Sequence, residues 1–239
     1  MLAIPVFLLM AISAHAAGPG PGEYGTRRGW GSLVIRDAPD GRRRFEMSTV
    51  GANGHMCDLE GAVDGSSAVT ADELGEACRM TFTVDGPGIA VKAETEACRR
   101  YCGMRAGFEG EYVRLPAGCT PAARERAQAD FLSQYRSGRY AAALGRLNVL
   151  GAECGDFFDW LQRDRFANDR AVTLWHLGRL DECIAVLDST LAAGSYDEAS
   201  LVAALREQGM ALPPGDWDAY LPIARAAWFN RSKCGAMPG

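Results

Sequence analysis

The sequence lacks any apolar run long enough to cross a bilayer. Its longest such run, residues 3–12, has about ten residues, whereas a membrane-spanning helix needs about twenty. Ala14 and Ala16 follow this run and present small side chains at the positions that a signal peptidase recognises. We therefore predict a signal peptide over residues 1–16, a periplasmic or secreted location, and no membrane span in the mature chain.

Residues that carry catalysis are also scarce. Apart from His15, the chain has two histidines, His55 and His176, and it contains no HExxH, GxSxG, CxxC or phosphate-binding glycine loop. We therefore expect no enzymatic activity and assign no catalytic residue and no cofactor. The alternative that stays open is a hydrolase in which His55 is a general base, paired with an acid such as Asp58 or Glu60.

No excess of positive charge indicates a nucleic-acid partner. The chain has 25 Lys and Arg against 30 Asp and Glu, which gives a formal net charge of −5. The one basic triplet, residues 42–44, follows the turn sequence Pro39-Asp40-Gly41, so we interpret it as part of an exposed turn. Only Lys92 and Lys233 are lysines. Such an arginine bias is typical of a GC-rich bacterial genome, and we expect no binding of nucleic acid.

Cysteine, by contrast, is abundant. In an oxidising compartment disulfides are the default state of cysteines, so we predict that all eight are bridged, namely Cys57, Cys78, Cys98, Cys102, Cys119, Cys154, Cys183 and Cys234. A zinc site built from His55 and three of these cysteines is disfavoured by the Cys-x3-Cys spacing and by the compartment, and we expect no metal. If the first four pair among themselves, Cys119 must bond into the C-terminal half.

The first half of the mature chain alternates apolar and polar residues, the pattern of half-buried strands. We predict a Gly/Pro-rich flexible start over residues 17–29 and a disulfide-bridged β domain over residues 30–119. Its candidate strands are residues 33–35, 44–50, 55–63, 78–84, 88–92 and 111–115. We expect a small antiparallel sheet, curled into a sandwich or a partial barrel.

Residues 120–239 have helical periodicity and contain an internal repeat. Thr120 and Pro121 form a good helix start, leading toward Arg136. The segment 135–144 aligns with 175–184 at an offset of 40, and each copy has an aromatic residue, two further residues, a glycine and then a helix with a buried small residue. This resembles the helix-turn-helix unit of tetratricopeptide repeats. Two more helices are predicted over residues 196–207 and 217–233, so the fold class is α+β.

The repeat also suggests where a partner binds. Stacked helical pairs leave a concave face that suits peptides or partner helices. We expect a protein or peptide partner in the bacterial envelope, and the candidate binding residues are Tyr135, Arg139, Tyr140, Trp175, Arg179 and, on a turn of the β domain, His55.

The segment from Cys78 through Cys102-Gly103 to the Gly110-Glu111-Tyr112 strand resembles the cysteine-bridged β domain of secreted proteobacterial proteins, some of them lysozyme-inhibitor-like. The whole chain is similar to two-domain secreted proteins of unknown function that carry Gly-Ala-Asn-Gly-His, here residues 51–55, before a cysteine. The resemblance implies a Cys78–Cys102 bridge, which leaves Cys57 to pair with Cys98. For the other four cysteines we predict the bridges Cys154–Cys183, within the repeats, and Cys119–Cys234, across the junction.

The resemblance also implies an alternative function, the inhibition of a peptidoglycan-cleaving enzyme. Known C-type lysozyme inhibitors present a loop with a serine and a basic residue to the acidic cleft of the enzyme. The segment Gly65-Ser66-Ser67-Ala68 has the serines and no basic partner. No inhibitory site is therefore carried over, and a non-catalytic binding or scaffold protein is our primary expectation.

Overall fold

The computed structural model describes residues 18–71 and 75–235. It is an α+β structure in which a closed antiparallel β-barrel precedes a helical region. The predicted signal segment lies outside the described residues. The strands are β1 Gly22–Gly25, β2 Gly31–Asp37, β3 Arg43–Val50, β4 Met56–Asp64, β5 Ser67–Ala71, β6 Ala77–Asp85, β7 Gly88–Ala93 and β8 Gly110–Arg114.

The barrel is closed by pairing every strand with the next and β8 with β1. Alternate residues point inward, and the largest fully buried ones include Leu33, Ile35, Phe45, Phe82 and Tyr112. An eight-stranded barrel has an interior just wide enough for side chains. These side chains fill it, so the barrel interior is the hydrophobic core of this half.

The strand that closes the barrel is one that the sequence pattern missed. β1 lies inside the stretch predicted to be flexible, and for residues 22–25 that expectation is wrong. Arginines hold the residues before it: Arg43 Nη1 donates to the carbonyl of Pro19 at 2.9 Å, and Arg114 Nη1 donates to that of Pro21 at 2.9 Å. The strand pairs with β2 and β8, so its neighbours specify it rather than its own four residues.

The helices are α1 Pro121–Arg136, α2 Tyr140–Cys154, α3 Trp160–His176, α4 Leu180–Leu187, α5 Glu198–Glu207 and α6 Pro214–Lys233. The predicted helix start is confirmed, since the Thr120 hydroxyl accepts a hydrogen bond from the Ala123 N–H at 3.3 Å. Helix α6 begins three residues earlier than expected, because Pro214 fits the first turn of a helix. Within the described part of the chain, no helix has the length and apolar character to span a membrane.

The repeat forms two helical hairpins, α1–α2 and α3–α4, with the same turn. Gly138 has φ 73° and Gly178 has φ 70°, and each N–H donates to the carbonyl three residues before it, that of Tyr135 or Trp175, at 3.0 Å. Glycine adopts this left-handed conformation without steric cost.

Helices α1 and α3 run parallel and are joined by three polar contacts. In order along both helices, these are Arg124 Nη1 to Gln162 Oε1 at 3.0 Å, Gln128 Nε2 to Asp169 Oδ2 at 2.9 Å, and the Tyr135 hydroxyl to His176 Nε2 at 3.0 Å. The first helices of the two hairpins thus lie side by side.

The cysteines form four disulfides, and each of the four predicted pairings is wrong. The bridges are Cys57–Cys102, Cys78–Cys98, Cys119–Cys154 and Cys183–Cys234. In the barrel, a 3-10 segment, Glu96–Tyr101, carries the chain from the β6 side to the β4 side. The segment therefore places Cys98 against β6, and Cys102, the residue that follows it, against β4.

In the helical region the pairing follows the hairpin geometry. Cys119 precedes α1 and Cys154 ends α2, and the two meet because antiparallel helices bring these ends together. The first four cysteines pair among themselves and Cys119 bonds into the helical half, as expected from their number. Its partner is Cys154 and not Cys234. Cys183 on α4 faces the end of α6 and pairs with Cys234.

The barrel contacts the helical region through its turns. Arg27, in the turn between β1 and β2, forms an ion pair with Asp156, which follows α2. Gly29, with φ 65°, packs directly on the backbone of residues 157–159, where a side chain has no room. These contacts and the Cys119–Cys154 bridge anchor the connection between the halves.

Candidate functional site

The hairpin turns bring aromatic side chains to one surface. Tyr135 lies at the end of α1, Tyr140 at the start of α2, and Trp175 and His176 at the end of α3. We refer to these four residues as the aromatic cluster. Its members come from both hairpins because α1 and α3 lie side by side.

His176 is the centre of the cluster. Its ring is stacked on Tyr140, with ring centroids 4.0 Å apart and planes within 4° of parallel. Its Nε2 is hydrogen-bonded to the Tyr135 hydroxyl at 3.0 Å, and its ring centroid is 4.5 Å from that of Trp175. His176 is exposed and the other three rings are half-buried, so the rings pack against one another and the cluster still faces solvent.

Helix α6 extends this surface. The ammonium group of Lys233 lies 5.5 Å from the Trp175 ring centroid and 5.2 Å from that of Phe229, both within cation–π range. Phe229 is 60% exposed. The surface therefore combines five rings with a cation whose charge no carboxylate within the described ranges neutralises.

Burial raises the pKa of Tyr135, and the neighbouring Tyr140 and Asp169 raise it further. The hydroxyl therefore stays protonated at neutral pH and keeps its hydrogen-bonding role beside His176.

The two predicted arginines differ. The guanidinium of Arg179 donates two hydrogen bonds of 2.6 Å to the carboxylate of Glu182, and this contact lowers the pKa of Glu182. Arg139 is exposed and makes no side-chain hydrogen bond or ion pair with any residue that the structure describes. Arg139 is thus exposed and unpaired among the described residues, whereas Arg179 is paired with Glu182 in the first turn of α4.

The structure therefore brings together Tyr135, Tyr140 and Trp175, with Arg139 beside them in the turn. The sequence analysis did not include His176, Phe229 or Lys233 among the candidate binding residues, so it missed the central place of His176. The repeat contained a usable signal for His176, since it follows the aromatic residue of the second copy.

His55 lies elsewhere, on the barrel after the 3-10 turn Ala52–Gly54. Its Nδ1 accepts a hydrogen bond from the Met104 N–H at 3.0 Å, and Gly103 packs so closely on the ring that an added Cβ would lie 2.6 Å from Nδ1. In the neutral ring the proton then sits on Nε2, which leaves neither nitrogen with a free lone pair. Asp58 and Glu60 are exposed on β4 and form no hydrogen bond or ion pair with His55 among the described residues.

A metal site is not formed by the residues that the structure places. Within residues 18–71 and 75–235, no group of three or more His, Cys, Asp and Glu side chains is arranged to hold an ion. The three cysteines of the alternative zinc set, Cys57, Cys98 and Cys102, are each part of a disulfide.

Comparisons with known proteins give no assignment: no family model matches the sequence, and no curated protein or solved structure matches it. Function must therefore be inferred from the surfaces of the molecule. The aromatic cluster is the surface on which the structure brings together three of the binding residues predicted from sequence, Tyr135, Tyr140 and Trp175.

Proposed function

We propose that this protein is a non-catalytic binding or scaffold protein of the bacterial envelope, periplasmic or secreted, that holds a protein partner on the aromatic cluster. The observation that carries the proposal is the set of five solvent-facing rings contributed jointly by both hairpins and α6. Rigid aromatic side chains and arginine dominate the binding energy of protein interfaces. A surface of this composition therefore favours partner binding.

The charges around the rings define the chemistry of the partner. Arg136 and Arg139 flank the α1–α2 turn and are exposed, and Lys233 stands over the Trp175 ring. A peptide segment that places an apolar side chain on the rings and carboxylates against these cations matches the surface. The partner that we propose is such an acidic segment of an envelope protein.

The fold supports this proposal through its repeat. Parallel packing of α1 and α3, with the same glycine turn in both hairpins, is what a short tetratricopeptide-like stack requires. Four disulfides fit an oxidising compartment. Both observations are consistent with the two-domain secreted proteobacterial group that the sequence resembles, to which we propose this chain is related.

The role of Arg139 provides the first test. We expect Arg139→Glu to weaken capture of the partner from periplasmic extract by about tenfold, since it reverses a charge at the edge of the binding surface. Arg79→Glu makes the same charge change at an exposed position on β6 and is the matched control. Capture is measured with immobilised, oxidised protein, and circular dichroism establishes that both variants are folded.

A photo-crosslinker locates the contact. The residue p-benzoylphenylalanine at position 229 should crosslink the captured protein, whereas the same residue at position 69, an exposed site on β5, should not. Equal capture by both glutamate variants, with crosslinking at position 69 alone, would remove the aromatic cluster from consideration. Capture of a muramidase through position 69, close to the β4–β5 turn, would support the inhibitor alternative instead.

A further inference from the structure

A concave site, separate from the aromatic cluster, runs along residues 160–170 of α3. It is a cleft of about 890 Å³ between α3 and α4, closed by the end of α2 and by the chain that follows α4. Small-ligand pockets typically measure about 300–1,000 Å³. The cleft is thus large enough for a small molecule or for the end of a peptide.

Aromatic rings form one wall of the cleft. Phe158 and Phe166 pack with centroids 5.3 Å apart, and Trp160 packs on the buried Tyr220 at 5.2 Å. These contacts fix the rings in place before any ligand arrives. The wall is therefore preorganised to receive an apolar group.

The cleft carries two cations, Arg163 and Arg170, which also line it. Seven residues separate them, so they lie on one side of α3 about 10 Å apart. The carboxylates that line the cleft are already engaged. Asp164 Oδ2 accepts from the Tyr220 hydroxyl at 2.7 Å and from the Leu191 N–H at 2.8 Å. Glu182 is hydrogen-bonded to the Arg179 guanidinium, and the charges of Arg179 and, more weakly, Arg170 lower its pKa.

One of these arginines has an unmet hydrogen-bonding group. Nε of Arg170 is buried and has no partner, the single such side-chain atom that the described residues show. Buried donors in folded proteins are nearly always paired. When the Arg170 side chain rotates to uncover Nε, a carboxylate in the cleft can accept from Nε–H and from an Nη–H of the same guanidinium with its two oxygens. A carboxamide has one acceptor oxygen and does not form this charge-assisted, two-pronged pair.

We propose that this cleft binds a carboxylate attached to an aromatic or large apolar group, the chemistry of a peptide that ends in an aromatic residue. Arg170 turns its guanidinium edge to the carboxylate, and Phe158, Trp160 and Phe166 pack on the apolar group. The site lies along residues 160–170 of α3, whereas the aromatic cluster contains the last two residues of that helix, Trp175 and His176. It does not depend on the function proposed for that cluster.

The test uses two probes that differ only in their C-terminal group, N-acetylphenylalanine with a carboxylate and its amide with a neutral carboxamide. Each is titrated into the oxidised mature chain, and the Nε–Hε resonance of Arg170 is followed by proton–nitrogen NMR. We expect the acid to bind at least tenfold more tightly than the amide and to shift this resonance. Arg170→Gln should abolish the difference, and Arg165→Gln, an exposed change on the same helix outside the cleft, should retain it.

Equal dissociation constants for acid and amide would overturn the proposal, as would acid binding that Arg170→Gln leaves unchanged, or no binding of either probe. If Arg170→Gln does not fold, Arg170→Lys replaces it, because it keeps the charge and removes the two-pronged geometry. A tenfold preference for the acid that falls below threefold in Arg170→Lys would support the proposal, and an unchanged preference would overturn it.

Discussion

At the residue scale, the imidazole of His55 has a structural role, because it connects two segments of the barrel. Its Nδ1 is the acceptor for the Met104 N–H, and Gly103 leaves no space between the ring and the chain. The ring therefore links the 3-10 turn after β3 to the segment that follows Cys102. The disulfide between Cys102 and Cys57 joins the same two parts of the chain, two residues after His55.

We predict that His55→Ala lowers the free energy of unfolding by about 1 kcal/mol, because an amide N–H loses its acceptor. His55→Asn is the matched control, since its side-chain oxygen can take the place of Nδ1 and should restore most of the loss. Urea unfolding monitored by fluorescence measures both. An Ala variant with unchanged stability, and with loss of a hydrolytic activity of the parent protein, would favour the hydrolase alternative.

At the scale of elements, the hairpin turns depend on backbone conformation. Gly138 and Gly178 have positive φ, yet no atom outside the local chain lies within 4 Å of where a Cβ would be. The requirement for glycine is therefore purely conformational, and the surrounding packing does not contribute to it.

We predict that Gly138→Ala and Gly178→Ala each destabilise the protein by about 1–2 kcal/mol, the cost of a left-handed conformation for an L-residue. Gly145→Ala is the control, because this glycine lies inside α2 with open space and no positive φ. It should stabilise the protein by about 0.5–1 kcal/mol. Chemical unfolding curves measure the three changes in the free energy of unfolding. If Gly145→Ala destabilised the protein, the backbone preferences of glycine and alanine would not explain the effects at these positions.

At the scale of the whole molecule, two disulfides hold the helical region. The Cys119–Cys154 bridge closes the first hairpin and fixes where the helices leave the barrel, with a sequence separation of 35. The Cys183–Cys234 bridge ties the second hairpin to α6 across a separation of 51. The second bridge thereby joins the helix that carries Phe229 and Lys233 to the repeat that carries the aromatic cluster.

We predict that Cys183→Ser combined with Cys234→Ser lowers the free energy of unfolding by about 4 kcal/mol in the chain-entropy model. Cys234→Ser alone should have nearly the same effect, since its partner is then left unbridged. Non-reducing peptide mapping should show a peptide joining positions 183 and 234. A peptide that joins Cys119 to Cys234 would contradict the structure and restore the pairing expected from sequence.

The sequence by itself determined what is encoded over a few neighbouring residues. It predicted an antiparallel β part followed by helices, the start of α1 at Thr120, and the turn glycines of the repeat. Each of these depends on local periodicity, on a capping side chain or on the φ angle of one residue. Such preferences act within one or two turns of chain, so they can be read without knowledge of the rest.

Only the tertiary structure decided what depends on segments far apart in the chain. β1 has too few residues to show a pattern, and it forms because β2 and β8 offer their edges. The disulfide partners follow from which cysteines a 3-10 segment or a helix end brings within bonding distance. The same holds for His176, Lys233 and Arg170, because stacking, cation–π contact and an unpaired buried donor arise only after distant helices pack together.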